Sequence, residues 1–469
     1  MTVAEDLIRA LGPDRVLTSD EALAARRHDY WMVSNLRDRQ GRGAPKPACV
    51  VRPASVADVQ ATVRVCVAAG TPLIPFGQGS GVVGGVIAGP DAVLLDLGAL
   101  NQVRAIDPVN LIASFDAGMN GLAAEEAVAA QGLTTGHWPQ SIALSTVGGW
   151  IATRASGQFS TAYGNIEDIV YSVEAVLPSG DLVVLGRGPR AAAGPDLRHI
   201  MLGSEGTLGV ITGVTLSLRR QAEAQAVTAF AARTMQQGFD FQREIVQTGW
   251  RPPVMRQYDV RESGRLHADA KDCTVIMVHE GPAALVAAET AAVSDLAARM
   301  WLEALPDTIV RHWLGHRNHV PGWDQILDRG IVADTVEVSA PWDRIGAVYD
   351  AATASVAEIP GCLAASAHSS HVYRSGLNLY FTFAIRPDAE ADMEAAYFES
   401  WQRIMAATAA AGGSLSHHHG IGRVRRDWME TELGRTGVTL LQTLKEALDP
   451  AGVMNPGVLV PDRPGIGTR

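Results

Sequence analysis

Cysteine is scarce in this chain, with four in 469 residues (Cys49, Cys66, Cys273 and Cys362) and no C-x-x-C pair. That spacing excludes a disulfide framework and a zinc ribbon, and it fits buried thiols in a reducing compartment. No apolar run approaches the roughly 20 residues that a membrane-spanning helix needs. The N-terminus, MTVAEDLIRALGPDRV, lacks the basic-then-apolar layout of a secretory signal. Basic residues are also in deficit. Lys and Arg number 39 against 50 Asp and Glu, a formal net charge of -11 that argues against a nucleic-acid platform. With 47% hydrophobic and 19% charged residues, disorder of the whole chain is excluded. The expectation is a cytoplasmic protein of two or more domains.

Neither a low-complexity linker nor a repeat of fixed period appears. Ser55 to Gly70 reads as a helix: Ser55 caps it, Val59, Val63 and Val67 recur every four residues, and Gly70 stops it. A short strand, Leu73 to Phe76, leads into the loop GQGSGVVGG, and Val173 to Leu185 reads as a hairpin turning at Pro178, Ser179 and Gly180. From about Gln225 glycine thins out. Strands are expected at Val227–Phe230, Val254–Tyr258, Thr274–Val278, Thr335–Ser339, Leu363–Val372 and Leu377–Ile385. Helices are expected at Met235–Gln247, at Pro282–Met300, from Pro341 and from Pro387, the last with Met393, Tyr397, Trp401, Ile404 and Thr408 on one stripe. The fold class is therefore α+β, with an antiparallel sheet covered by helices on one face. The expected domains are 1–224 (core about 45–222), 225–425, and a C-terminal return to the first over 426–469.

Gly79-x-Gly81-x-x-Gly84 matches the dinucleotide fingerprint on paper. That fingerprint needs a helix opening at its last glycine, and here Pro90 and a strand follow. A Walker loop is excluded because the loop has no lysine. What survives is a nest, in which glycines let backbone amides crowd onto an anion; the alternative is a plain tight turn. Gln140–Thr146, Thr153–Gly157 and Gly203–Thr212 have the same small, hydroxyl-rich, lysine-free character. One pyrophosphate and one flat ring could use all four.

From Pro75-Phe76-Gly77 through TTGHWPQS, STVGGWIATRASG, YGNIEDIV, GSEGTLGVIT, SAPWDR, GGSLSHHHGIG and LDPAGVMNP, the chain resembles FAD-dependent enzymes of the vanillyl-alcohol oxidase, or PCMH, type. It is most similar to their alkylglycerone-phosphate synthase branch. The resemblance implies a two-part FAD-binding domain of two small α+β subdomains plus a substrate-binding cap. It implies FAD contacts from Pro75, Phe76, Gly77, Gln78, Gly79, Ser80, Gly81, Gln140, Ser141, Ser145, Thr146, Gly149, Thr153, Ala155, Ser156, Glu205, Gly209, Val210 and Ile211. Many relatives tether the flavin to a histidine in the first loop. Gln78 stands there, so FAD is expected to be non-covalent.

His417-His418-His419 precedes Gly420-Ile421-Gly422, and in extended chain His417 and His419 face opposite to His418. A polar turn and a metal site compete with a catalytic reading. D-2-hydroxy-acid dehydrogenases of the superfamily hold a metal with two histidines and a glutamate. Their motifs fall on His371–Tyr380 and His417–Gly420, where Tyr380 replaces one histidine and His418 the glutamate, so no metal is expected. In the strand Leu377–Ile385 the apolar residues alternate with Asn378, Tyr380 and Thr382, leaving Tyr380 free to face a cleft. The resemblance makes Tyr380, the triplet and Arg256 catalytic. It also exposes a departure. The synthases' phosphate-holding arginine falls on Trp323, beside Asp324, with Arg317, Arg329, His312, His316 and His319 nearby.

Two enzymatic functions are implied. One is a synthase-like exchange on a small ketone or alcohol-type substrate over the flavin N5, with His/Tyr proton transfer. The other is an FAD-linked dehydrogenase or oxidase of an alcohol or 2-hydroxy acid, without metal. A non-catalytic flavin-binding protein is a third reading, disfavoured by the intact Arg256, Tyr380 and triplet. The expected partner is a small-molecule substrate, with no nucleic acid and no membrane span. A homodimer is left open, as is peripheral membrane contact were the substrate a lipid.

Overall fold

A computed structural model describes residues 2–461; positions 462–469 of the expected C-terminal return lie outside the described residues. Cys49–Val51, Val93–Asp96 and Leu73–Phe76 form a parallel sheet in that order, edged by the antiparallel Val16–Leu17. The helix Val56–Ala69 covers it. Ser55 accepts from the Asp58 amide at 3.2 Å, Gly70 ends the helix at φ 61°, and Val59, Val63 and Cys66 are buried. Burying each such valine contributes about 1.5–3 kcal/mol, which is what holds this short helix in place. A second, antiparallel sheet runs Val103–Asp107, Ile112–Asp116, Val210–Ser217, Val170–Val176, Leu182–Leu185. Its last two strands are the expected hairpin, with Gly180 at φ 83° in the turn.

Six of the eight antiparallel strands of the third sheet form two β-α-β-β-α units, and the short strands Glu303–Leu305 and Val372–Tyr373 add to them. The first unit is Ala224–Ala232, helix Met235–Gln247, Val254–Tyr258, Cys273–Gly281 and helix Ala283–Arg299. The second is Val332–Pro341, helix Ile345–Ala357, Cys362–Ser369, Gly376–Ile385 and helix Met393–Ala410. In each unit the third strand lies between the first two, and the units join where Gln257 and Tyr258 pair with Ser369 and His368. The four helices pack on one face around Phe239, Phe241, Phe381, Phe383, Tyr397 and Trp401. A further helix, Thr308–His316, packs Ile309, Val310 and Trp313 on part of the opposite face, so helices cover more than the one face expected.

Two helix starts differ from expectation. Pro341 still pairs with Gly376, so the chain stays extended and the helix begins at Ile345. After Pro387 a 3₁₀ turn at Glu390–Asp392 intervenes before Met393. The expected stripe on that last helix is buried throughout.

Two segments tie the sheets together. Trp31, Met32, Val33 and Leu36 enter the core of the large sheet, and the Trp31 indole donates to the Tyr397 hydroxyl at 2.8 Å. After the helix Met429–Leu448, Val453 and Met454 return to the core of the parallel sheet; Leu73 donates to the Val453 carbonyl at 2.8 Å and the Asn455 amide to the Leu73 carbonyl at 2.9 Å. Among the described residues no helix is long and apolar enough to cross a membrane.

Candidate active site

Between the loops of the first two sheets and the open face of the third lies a cavity of about 1080 Å³. Pro75 to Val83 form one wall, with no helix following; the chain bends past Pro90 directly into Val93–Asp96. Among the described residues, the amides of Gln78 to Val82 donate to no protein acceptor, so the loop presents a row of free N–H groups. Its shape depends on glycine. Gly79 lies at φ 68° over the Phe76 ring, and a Cβ on Gly77 would come 2.6 Å from Thr146 Oγ1. Gln78 is held by Asn120, whose Nδ2 donates to its Oε1 at 2.9 Å.

The other expected segments converge on the same cavity. Gln140, Ser141, Ser145 and Thr146 line it, with Thr146 capping the helix Val147–Thr153 through the Gly149 amide at 3.2 Å. Gly149, Thr153, Ala155, Ser156, Glu205, Gly209 and Ile211 complete the wall. Val210 does not join it. Strand alternation turns its side chain into the core beside Leu73 and Val93. A glycine-dependent cradle with unclaimed amides fits the pyrophosphate of FAD.

Sequence reasoning missed Asp29 and Asn455, which also line the cavity. Asn455 Nδ2 donates to the carbonyls of Gly85 at 3.0 Å and Glu205 at 2.7 Å, clamping two loops. Glu205, at φ 48°, accepts the amides of Ile421 at 2.7 Å and Gly422 at 2.8 Å and so anchors the chain just past the histidines. Burial pushes both Glu205 and Asp29 up to about 7, against the amides that favour their charge.

Across the cavity stands Tyr380, on the strand Gly376–Ile385. Its hydroxyl is hydrogen-bonded to His418 Nε2 and lies 3.3 Å from His419 Nε2. His418 Nδ1 meets His417 Nδ1 at 2.7 Å, and His417 Nε2 meets the Tyr373 hydroxyl at 2.6 Å. A phenol–imidazole–imidazole–phenol chain therefore runs inward from the cavity. His417 belongs to this chain but sits behind His418 and outside the cavity wall. Burial holds His417 down at about 4 and His418 well below its usual range, so both rest neutral. His371 stacks on His417 at 5.0 Å, and its Nδ1 bonds Ser160 Oγ at 2.6 Å.

His419 is backed differently. Its Nδ1 lies 3.0 Å from the Glu337 carboxylate, which Arg425 also engages. Burial would raise Glu337, but the Arg425 guanidinium beside it outweighs that and holds the carboxyl well below the usual range. An anion facing Nδ1 favours the tautomer that leaves Nε2 free as an acceptor toward Tyr380. On Tyr380's other side the His368 ring stacks at 4.9 Å, fixed by Glu262 at 2.7 Å. Arg256 lines the cavity with Nε donating to the Tyr258 hydroxyl at 2.8 Å.

One nitrogen each of His371, His417 and His418 lies within 4.8 Å of the others. The nitrogens of His417 and His418 already have partners in the chain, so a metal there would compete with the bonds to Tyr373 and Tyr380. Trp323 faces the cavity, stacked on Tyr30 at 5.5 Å. Arg317 lines the cavity; Arg329 is exposed and does not.

A loop cradle and a hydrogen-bonded tyrosine–histidine cluster facing each other across one cavity make a flavoenzyme's arrangement. Residues 47–186 match the FAD binding domain, and residues 221–459 match the C-terminal domain of FAD linked oxidases. The chain belongs to this family of FAD-linked oxidoreductases, and FAD is its cofactor. An uncharacterized FAD-linked oxidoreductase of Escherichia coli (strain K12), YgcU, is 34% identical over 98% of each chain. The alkyldihydroxyacetonephosphate synthase of Dictyostelium discoideum is 30% identical over 96% of this chain and 79% of its own. A solved alkyldihydroxyacetonephosphate synthase structure superposes with TM-score 0.81 at 27% identity, covering 97% of this chain and 85% of that one. The two-part FAD fold with a cap, expected from the motifs, is the observed one.

Proposed function

We propose that this chain oxidises a hydroxyl-bearing carbon of a small alcohol or 2-hydroxy acid, with Tyr380 and the histidine cluster receiving the hydroxyl proton. Dissociable FAD, when bound, supplies the two-electron acceptor; Pro75–Gly81, Gln140–Thr146, Thr153–Ser156 and Glu205–Ile211, with Val210 acting only through its backbone, are the segments proposed to hold it. The observation that carries the reading is Tyr380 flanked by two imidazole Nε2 atoms at the cavity wall. Burial raises the Tyr380 phenol, with Glu337 adding to the effect, so Tyr380 rests protonated and cannot act as a free phenolate. It works instead by passing a proton through: as it takes one from the substrate it gives its own to His418 or His419. Arg256 is proposed to face the developing charge.

The second reading is the synthase-like exchange, supported by similarity to alkyldihydroxyacetonephosphate synthases along nearly the whole chain. Trp323, a neutral ring where those enzymes' phosphate-holding arginine is expected, weighs against it. Mixing the purified yellow protein anaerobically with alcohols and hydroxy acids separates the two. Flavin bleaching that an electron acceptor reverses supports oxidation, whereas ether product formed without any acceptor supports the exchange. The proposed setting is the cytoplasm, in keeping with the buried Cys49, Cys66 and Cys273 thiols.

A further inference from the structure

One end of the cavity carries positive charge without a partner. Arg256, Arg265 and Arg317 line it together with His312 and His316, and no lysine joins them. Among the described residues none of the three arginines forms an ion pair. The cavity's own acids are committed elsewhere. Asp29 accepts the amides of Trp31 and Val86, Glu205 those of Ile421 and Gly422, and Asp334 the Tyr397 hydroxyl and the Thr335 amide.

Arg317 is the most constrained of the three. Its guanidinium stands 4.7 Å from the Trp138 ring centre and 5.4 Å from that of Phe159. Nη1 donates to Asn318 Oδ1 at 2.7 Å, and Nε is buried with no hydrogen-bond partner. Its main chain is pinned as well: Gln158 Nε2 donates to the Arg317 carbonyl at 2.9 Å, and Asn318 Nδ2 reaches the carbonyls of Pro139 and Gln140 at 3.1 Å each. A part-buried cation held between rings without a counter-ion is costly unless a ligand supplies the charge. Around it the wall is apolar, with Leu266, Trp313, Val320, Pro321 and the Trp323–Tyr30 stack.

We propose that this end of the cavity is an anion subsite in which Arg317, assisted by Arg256, holds the carboxylate of a substrate whose remaining body is apolar or aromatic. A carboxylate is favoured over a phosphate because Arg317 and Arg256 already give donors to Asn318 and Tyr258 and Arg265 is exposed, which leaves few donors for a dianion. The subsite would thus do the work of substrate anchoring from a different position than Trp323. The inference rests on the proposed reading of the cavity as a chamber shared by flavin and substrate.

The test is a binding titration of the FAD-loaded protein without turnover, following perturbation of the flavin's visible absorbance. Phenylacetate, the neutral 2-phenylethanol and phenyl phosphate are the probes. Phenylacetate is expected to bind at least about 10-fold more tightly than 2-phenylethanol, and Arg317→Gln to erase that difference while leaving the neutral probe unchanged. Arg317→Lys, which keeps the charge but loses the planar fork, is expected to fall between and serves if the glutamine variant does not fold. Equal binding of acid and alcohol, a preference for the phosphate ester, no perturbation by phenylacetate, or an unaffected Arg317→Gln protein would each overturn the subsite. A carboxylate that binds as expected while no substrate bleaches the flavin would leave the subsite standing and remove the oxidation reading instead.

Discussion

At Tyr380 two opposite shifts meet: burial lifts the phenol above its ordinary value, and burial drops the imidazole of His418 below its own. Both partners rest uncharged, and the bond between them is a poised donor and acceptor. Tyr380→Phe is expected to retain FAD and to lower turnover about 10²-fold or more in steady-state assays; a near-normal rate would take the phenol out of the mechanism. The Nδ1–Nδ1 contact of His417 and His418 holds a single proton between two neutral rings, so the chain from Tyr380 to Tyr373 can be polarised in either direction. Tyr373→Phe is expected to slow turnover about 10-fold with flavin binding intact, and wild-type rates would show that the proton leaves through His419 alone. Tyr380 and the triplet were visible in sequence, through strand alternation and through three histidines in a row. Glu337 was not singled out, because one acid between Val336 and Val338 reads as the polar face of an alternating strand. Its meaning appears only with Arg425 and His419 beside it.

The elements that local chemistry specifies fully are those the sequence places best. The helix Val56–Ala69 carries its own cap and its own left-handed stop, and the strand Leu73–Phe76 is bounded by Pro72 and Gly77. The glycine loop after it was recognised correctly as not opening a helix, for a local reason, Pro90. What its glycines avoid is a tertiary matter: Gly79 faces Phe76 and Gly77 faces Thr146, not solvent. Gly79→Val combines a left-handed φ with a clash against the Phe76 ring, and is expected to abolish flavin retention. Gel filtration followed by an absorbance spectrum decides, and a protein that stays yellow would reassign the loop. The later helix starts were misplaced because Pro341 and Pro387 are compatible with a first turn, yet neighbouring strand pairing and a 3₁₀ turn occupy those positions.

Across the whole molecule, a few buried charges connect segments far apart in sequence. Glu337 of the large sheet holds Arg425, which also lies over Trp401 and donates to the Gly420 carbonyl. Glu337→Gln leaves a buried guanidinium uncompensated and is expected to cost about 3–5 kcal/mol in denaturant unfolding; a loss below about 1 kcal/mol would mean that the pair is replaced by water or another partner. Glu205 carries the opposite pH signature. Its folded value, about 7, lies above the ordinary glutamate value of 4.5, so the stability it contributes is complete below 4.5 and lost as pH rises through about 7. The melting-temperature advantage of the wild type over Glu205→Gln is therefore expected to be larger at pH 5 than at pH 8. A constant gap would show that Glu205 is ionised throughout. The pairing of two β-α-β-β-α units into one sheet belongs to this scale as well. No sequence repeat announces it, because each unit needs only the same alternation of apolar faces and not the same residues.

By itself the sequence determined the strands and helices with strong periodicity, the lysine-free glycine cradle, the flavin family, and the positions of Tyr380 and the three histidines. These follow from spacing along the chain, where neighbours are fixed by covalent geometry. Tertiary structure alone decided that Asp29, Asn455 and Arg317 enter the cavity, that Val210 leaves it, that His417 stands behind His418, and that Glu337 and Arg425 back His419. Those relations depend on the register of strands and on segments hundreds of residues apart closing around one space, where burial sets which charges are paired.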